Sequence, residues 1–279
     1  MTRRLLLLTM AVAAAGAEAP RRIVSLSPNI TEMLYGMGAF DRLVGVTDYC
    51  TYPPQASKLP SVGGWHTPSL EKLAGMRPDL VIVDDAEAAF LQDQLRDLNL
   101  RVLVVPNHSV ADIFTAIATL GRAIGHEAEA AKLAAQTHEG LDRVRRRTTL
   151  LARPGVIVMV SRTPGTLQDL YTATEGSYLA ELVEIAGGRI AAPANPRGYA
   201  RLSMEDLLAI NPDVVLDFIH GSESRLAGNP MEAWKEMPEL KAVRARRIHG
   251  VGEEYVPHAS QRIVLTAELF ARLIHPEAK

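Results

Sequence analysis

The sequence predicts an α/β protein of two lobes with parallel sheets, joined by one long α-helix. Three observations lead there. Short β-type runs alternate with helical ones along the chain, the signature of a parallel sheet covered on both faces. A phrase in the first half, "SLEKLAGMRPDLVIV" from Ser69 to Val83, returns in the second as "SMEDLLAINPDVVLD" from Ser203 to Asp217. Between the two halves lies an Ala-rich stretch without Pro, "EAEAAKLAAQTHEGLDRVRRRTTLL".

The elements follow in order. "RRIVSLS" reads as a strand, and "NITEMLYGMGAF" as a helix on the spacing of Ile30, Met33, Leu34 and Met37, stopped by Gly38. "RLVGVTD" is a second strand, "SLEKLAGM" a short helix, "PDLVIVDD" a strand, "FLQDQLRDL" a helix, "RVLVVPN" a strand and "VADIFTAIATLGRAIG" a closing helix. The long helix carries Leu133, Thr137, Leu141, Val144 and Leu151 on one stripe. At 1.5 Å per residue, some 24 residues reach about 36 Å, enough to cross the side of a small domain. The second half opens with "PGVIVMVSRT". Val24 to Ser27 precede Val158 to Ser161 by 134 positions, and Ser69 precedes Ser203 by the same 134, so two units share one offset and duplication is the better explanation. Each half is a Rossmann-like lobe on this reading.

A chain of 279 residues, 47% hydrophobic and 22% charged, has material for two cores. Its start does not belong to them. "MTRR", the apolar "LLLLTMAVAAA" and the small residues of "AGAEA" predict a secretory signal peptide over residues 1–19, cleaved near Ala17 or Ala19. The apolar run is about 11 residues, short of the roughly 20 that span a bilayer. No Cys follows it, so the expected product is a free periplasmic or extracytoplasmic protein without a lipid anchor. The expected organisation is then an N-terminal lobe over 20–125, a connecting helix over 126–151 and a C-terminal lobe over 152–279. The charge balance, 30 basic against 32 acidic residues, gives no reason to expect nucleic acid. Cys50 is the only Cys, so no internal disulfide forms, and a small packing thiol is its expected role.

Ligands of open parallel sheets bind beyond the carboxyl ends of the strands, and two lobes on a connecting helix set two such rims face to face. The chain is only 5% aromatic, yet Tyr49, Trp65, Tyr171, Tyr199 and Tyr255 all fall in the loops expected there. That clustering suits a large, flat, partly apolar ligand, because rigid rings bury much area at little entropic cost. Tyr52, before Pro53 and Pro54, and Trp234, in "MEAWKEM", read as packing residues, and Asp84 and Asp85 as caps of the following helix. His66, His108, His220, His249 and His258 are scattered singly, which gives no metal site; His66 and His258 stand at the rim, where one could coordinate a haem or corrinoid metal. No G-x-G-x-x-G follows the first strand, and neither a P-loop nor a G-x-S-x-G is present, so an α/β enzyme is the weaker class and no catalytic residue or cofactor is expected.

"VSLSPNITE", "YCTYPPQA", "GGW" with "SLEKL" just after it, "PDLVI" and "EYVPHASQRI" occur together and in order. With them the chain resembles the extracytoplasmic substrate-binding proteins of ABC importers for iron chelates, haem or cobalamin, over nearly its whole length. It is most similar to the cobalamin-binding branch. The resemblance implies capture of cobalamin or a related corrinoid between the lobes, with haem or a ferric siderophore as the alternative, and delivery by a monomer to a permease dimer with its ATPase. A sensory module that docks a receptor is the other binding role. The resemblance places Tyr49, Trp65, Tyr171 and Tyr199 on the branch's aromatic cleft positions, and Glu254 with Tyr255 on its acidic and aromatic pair; His66 joins them at the rim. Tyr replaces Trp or Phe at three of these places and Glu254 replaces Asp, which makes the cleft richer in hydrogen-bonding groups. Glu71 and Glu205, in the repeated phrase, match the paired glutamates that engage the two permease subunits.

Overall fold

In the computed structural model, residues 18–64, 67–219 and 231–277 are described. The expected signal peptide, up to residue 17, and the candidate ligand residues Trp65 and His66 lie outside them.

The first lobe is built from β1 (Ile23–Ser25), α1 (Pro28–Gly36), β2 (Leu43–Gly45), α2 (Leu70–Gly75), β3 (Leu80–Asp84), α3 (Asp85–Asp97), β4 (Val102–Val105) and α4 (Val110–Ile124). Its four strands run parallel in the order β2-β1-β3-β4. Local chemistry fixes the helix starts. Asp84 caps α3 by accepting the Glu87 amide at 3.0 Å, and Ser109 with Asp112 forms a reciprocal capping box on α4. Gly125, at φ 72°, ends α4 in the left-handed region, where a side chain would be strained.

The long helix α5 runs Glu127–Thr148. Leu133, Thr137, Leu141 and Val144 are buried on its inner stripe, whereas Leu151 lies past its end, in the turn before the second lobe.

The second lobe contains β5 (Gly155–Ser161), β6 (Leu170–Ala173), α6 (Tyr178–Ile185), β7 (Arg189–Ile190), β8 (Tyr199–Leu202), α7 (Met204–Ile210), β9 (Val214–Phe218), α8 (Met231–Trp234), α9 (Lys241–Arg244), β10 (Ile248–Val251) and α10 (Ile263–Ile274). Here the expectation of a purely parallel sheet is corrected. Strands β7-β5-β9-β10 repeat the parallel order of the first lobe, but β6 and β8 join antiparallel, β6 against the carboxyl end of β5 and β8 against β6. The segment around "YTATEG" extends the edge of the second sheet.

The single offset of 134 is corrected too. It holds for β3 and β9, since Leu80–Asp84 and Val214–Phe218 differ by that amount. Ile23 sits opposite Leu80 and Val156 opposite Val214, so the first strands correspond at 133. A one-residue slip moves every side chain to the other face of a sheet, so the register decides the alignment.

That alternation builds the cores. Ile23, Leu80 and Ile82, and likewise Val156, Val158, Val214 and Leu216, face one continuous core that includes Leu120, Leu141, Leu182 and Phe270 from α4, α5, α6 and α10. The opposite sheet faces carry separate outer clusters, Val24, Val81 and Val83 in the first lobe and Ile157, Met159 and Val215 in the second. The lobes therefore share an interior through α5, and wide hinge opening would expose it to water.

Candidate functional site

The loops at the carboxyl ends of the strands enclose a cavity of about 370 Å³ between the lobes. Asp48, Tyr49 and Thr51, after β2, form one wall; Phe218 and Ile219 at the end of β9, and Val251 to His258 after β10, supply most of the other. This is where a doubly wound sheet binds ligands. A second cavity of about 440 Å³, at the junction of α4, α5 and α6, is less suited to capture. Its charges are already paired: Arg153 with Glu184, Arg145 with Asp142, and the Glu181 carboxylate with the Val110 amide at 3.3 Å.

The expected site residues are placed as follows. Tyr49 lines the cleft and is 54% exposed. Tyr171 and Tyr199, expected in loops, stand instead on strands β6 and β8, where their rings stack with centroids 5.9 Å apart and planes inclined by 16°, and neither is among the cavity-lining residues. Tyr171 is exposed, while Tyr199 packs against the shared core, where burial pushes its phenol up to about 12. Glu254 and His258 line the cleft. The Tyr255 ring turns toward the core and the Arg262 guanidinium, 5.3 Å from its centroid, and is not among the cavity-lining residues. Glu71 and Glu205 both stand exposed in the first turns of α2 and α7, one on each lobe, on helices capped by Ser69 and Ser203. Cys50 is buried, and desolvation raises its thiol pKa, which fits a packing role. Trp234 is fully buried and donates its indole N–H to Asp217 at 2.9 Å.

The sequence reading missed the group that ties the walls together. Glu32, on α1 of the first lobe, is 1% exposed. Its carboxylate accepts from His258 Nδ1 at 2.8 Å, from the Ser260 hydroxyl and from Arg262 at 3.1 Å, all in the second lobe, while the Gln261 amide donates to its backbone carbonyl at 2.8 Å. Arg262 continues to Glu254 at 2.6 Å and lies 3.9 Å over the Tyr52 ring. Burial works against this guanidinium's charge, but the two carboxylates outweigh it and raise its pKa above the ordinary value. The signal was present in "NITE" and "HASQRI", but two segments 226 or more residues apart give no local pattern that joins them.

A second polar group lies at the carboxyl end of the first sheet. The Ser27 hydroxyl donates to Asp84 at 3.0 Å, and for Glu87, 1% exposed, neither carboxyl oxygen has a hydrogen-bond partner among the described residues. Burial, helped by the neighbouring Asp84 charge, pushes Glu87 up to about 9, so the buried carboxyl is neutral at physiological pH.

Residues 23–255 match the periplasmic binding protein family. The chain belongs to that family. It is similar to the ABC transporter substrate-binding lipoprotein YvrC of Bacillus subtilis, 28% identical over 92% of this chain and 81% of that one. It is also similar to the vitamin B12-binding protein of Pectobacterium carotovorum, 26% identical over 89% and 86% of the two chains. Among solved structures, the periplasmic heme-binding protein RhuT of Roseiflexus superposes with a TM-score of 0.79 at 25% identity, covering 95% of this chain and 100% of that one. The family is one of substrate-binding transport proteins, not of enzymes.

Proposed function

We propose that this periplasmic binding protein captures cobalamin or a related corrinoid between its lobes and delivers it to the permease of an ABC importer. The observation that carries the reading is the cleft itself: an open cavity at the strand ends, with Tyr49 on its first-lobe wall and Glu254 and His258 on the wall opposite. Flat rings favour a flat, large ligand, and the polar wall at Glu254 and His258 orients it. The similarity to vitamin B12-binding proteins supports this choice, and the similarity to a heme-binding protein makes haem the second reading.

Delivery would use Glu71 and Glu205. Both are exposed, and equivalent helices of the two lobes present them. A duplicated protein that offers one carboxylate per lobe suits a two-fold partner. Because the lobes share a core, closure on binding should be modest.

The test is retention. Purified protein is incubated separately with aquocobalamin, haemin and a ferric siderophore, desalted, and its visible spectrum recorded. Cobalamin retained near one per chain is the expected result. Retained haem with no retained cobalamin overturns the corrinoid assignment.

A further inference from the structure

We infer that the cleft selects its ligand by the charge at the ligand's edge: it admits a macrocycle or chelate edged with amide or ammonium N–H donors and rejects one edged with carboxylates, with Asp48 and Glu253 as the deciding residues. The inference rests on the reading of this cavity as the capture site, and it names the chemical class that the site takes.

The cavity lining carries one sign of charge. Asp48 stands on the first-lobe wall, and Glu253 and Glu254 stand on the wall opposite; all three are exposed, and no Lys or Arg is among the described lining residues. The Arg262 guanidinium meets Glu254 at 2.6 Å, but its side chain is only 12% exposed and it also serves the buried Glu32 at 3.1 Å. One cation thus faces two carboxylates before Asp48 and Glu253 are counted. His258 does not offset them, because its Nδ1 lies 2.8 Å from Glu32 as well. Asp48 accepts from the Ser61 hydroxyl, which leaves its charge in place, and neither Asp48 nor Glu253 forms an ion pair among the described residues.

An ionised carboxylate only accepts hydrogen bonds, so these walls complement N–H donors: the carboxamides at the edge of a corrin, or the ammonium group of a cationic chelate. A ligand carboxylate, such as a haem propionate, brings no donor and is repelled from both sides. A cleft lined by one sign of charge between low-dielectric walls focuses that field. Repulsion of the wrong partner supplies specificity that shape alone gives poorly between two large flat rings.

A solvated acidic rim with no part in selection is the competing reading. The placement argues against it: the carboxylates stand on both walls, so a bound ligand that turns over exchanges one for another. The two readings differ in whether a single charge on the ligand changes its affinity.

The experiment titrates the purified wild type and the Asp48→Asn/Glu253→Gln double variant with four kinds of probe: cyanocobalamin, its separated monocarboxylic acids, haemin, and the cationic ferric hydroxamate ferrioxamine B. Each acid has one edge amide of cyanocobalamin converted to a carboxylate, so parent and acid match in size and shape. Their affinity ratio isolates the charge, and a general defect of the variant cancels from it. In the wild type the ratio should favour cyanocobalamin by about tenfold or more for at least one acid. It should shrink at high ionic strength and approach unity in the double variant. Equal wild-type affinity for cyanocobalamin and all of its acids, or a ratio that survives in the double variant, overturns the inference and leaves the corrinoid reading intact. Retention of ferrioxamine B, with neither corrinoid nor haemin retained, overturns the corrinoid reading and supports the inference. Retention of haemin alone overturns both.

Discussion

Replacing Arg262 with alanine should loosen the junction between the lobes. Its side chain is 12% exposed and contacts Glu32, itself 1% exposed, at 3.1 Å. Removing one partner of a buried ion pair leaves an uncompensated charge and costs about 3–5 kcal/mol. Here His258 and Ser260 still donate to Glu32, so the loss should fall near the lower end of that range, about 3 kcal/mol. For a chain of this size each kcal/mol moves Tm by about 2–4 °C, which gives a fall of about 6–12 °C. Calorimetry on the purified protein reads it, with Glu254→Gln as the reference variant. Glu254 is 50% exposed, and loss of such a rim partner should change stability by at most about 1 kcal/mol. A shift below about 2 °C for Arg262→Ala, or equal shifts for the two variants, would refute the claim that the buried carboxylate holds the lobes together.

Other expectations concern pH, docking and binding. The raised pKa of Glu87, about 9 against 4.5, means that the folded chain keeps a proton which the unfolded chain has released. This contribution to stability is complete below about pH 4.5 and is lost as pH rises toward 9, at up to about 1.4 kcal/mol per pH unit. Glu87→Gln should flatten that slope in urea unfolding at pH 5 and 8; parallel slopes for variant and wild type would contradict it. Glu71→Arg with Glu205→Arg should abolish uptake in a transport assay while ligand affinity in vitro stays unchanged, and normal uptake would remove the docking role. Tyr49→Ala should weaken ligand binding by roughly five- to tenfold, about 1 kcal/mol, with little change in Tm, because the ring lines the cavity and is 54% exposed in the free protein. Small-angle scattering should register only slight contraction on loading, and a large one would show that the shared core does not limit the hinge.

Much of the fold was legible because its signals are local. Ser69, Ser109 and Ser203 cap the helices that they precede, and the apolar stripe of α5 is buried from Leu133 to Val144. The antiparallel pair β6 and β8 was not legible, since strand direction is set by which edge a segment reaches. The offset failed at β1 for a similar reason: chemically alike residues at 133 and 134 positions can be distinguished only by the strand opposite them. In the site, Tyr49, Glu254 and His258 were recognisable from their loops and do line the cavity. Tyr255 packs toward the core, an orientation that its position in a cleft loop does not determine.

The sequence by itself determined the two-lobed α/β plan, the connecting helix and the capped helices that carry Glu71 and Glu205. Each of these depends on periodicity or capping within a few residues. Tertiary structure alone decided that Glu32 meets His258, Ser260 and Arg262, that Tyr171 stacks on Tyr199, and that Glu87 is buried. Those outcomes depend on burial and on contacts between distant segments, and a side chain's charge, orientation and protonation follow from surroundings that its neighbours in sequence do not supply.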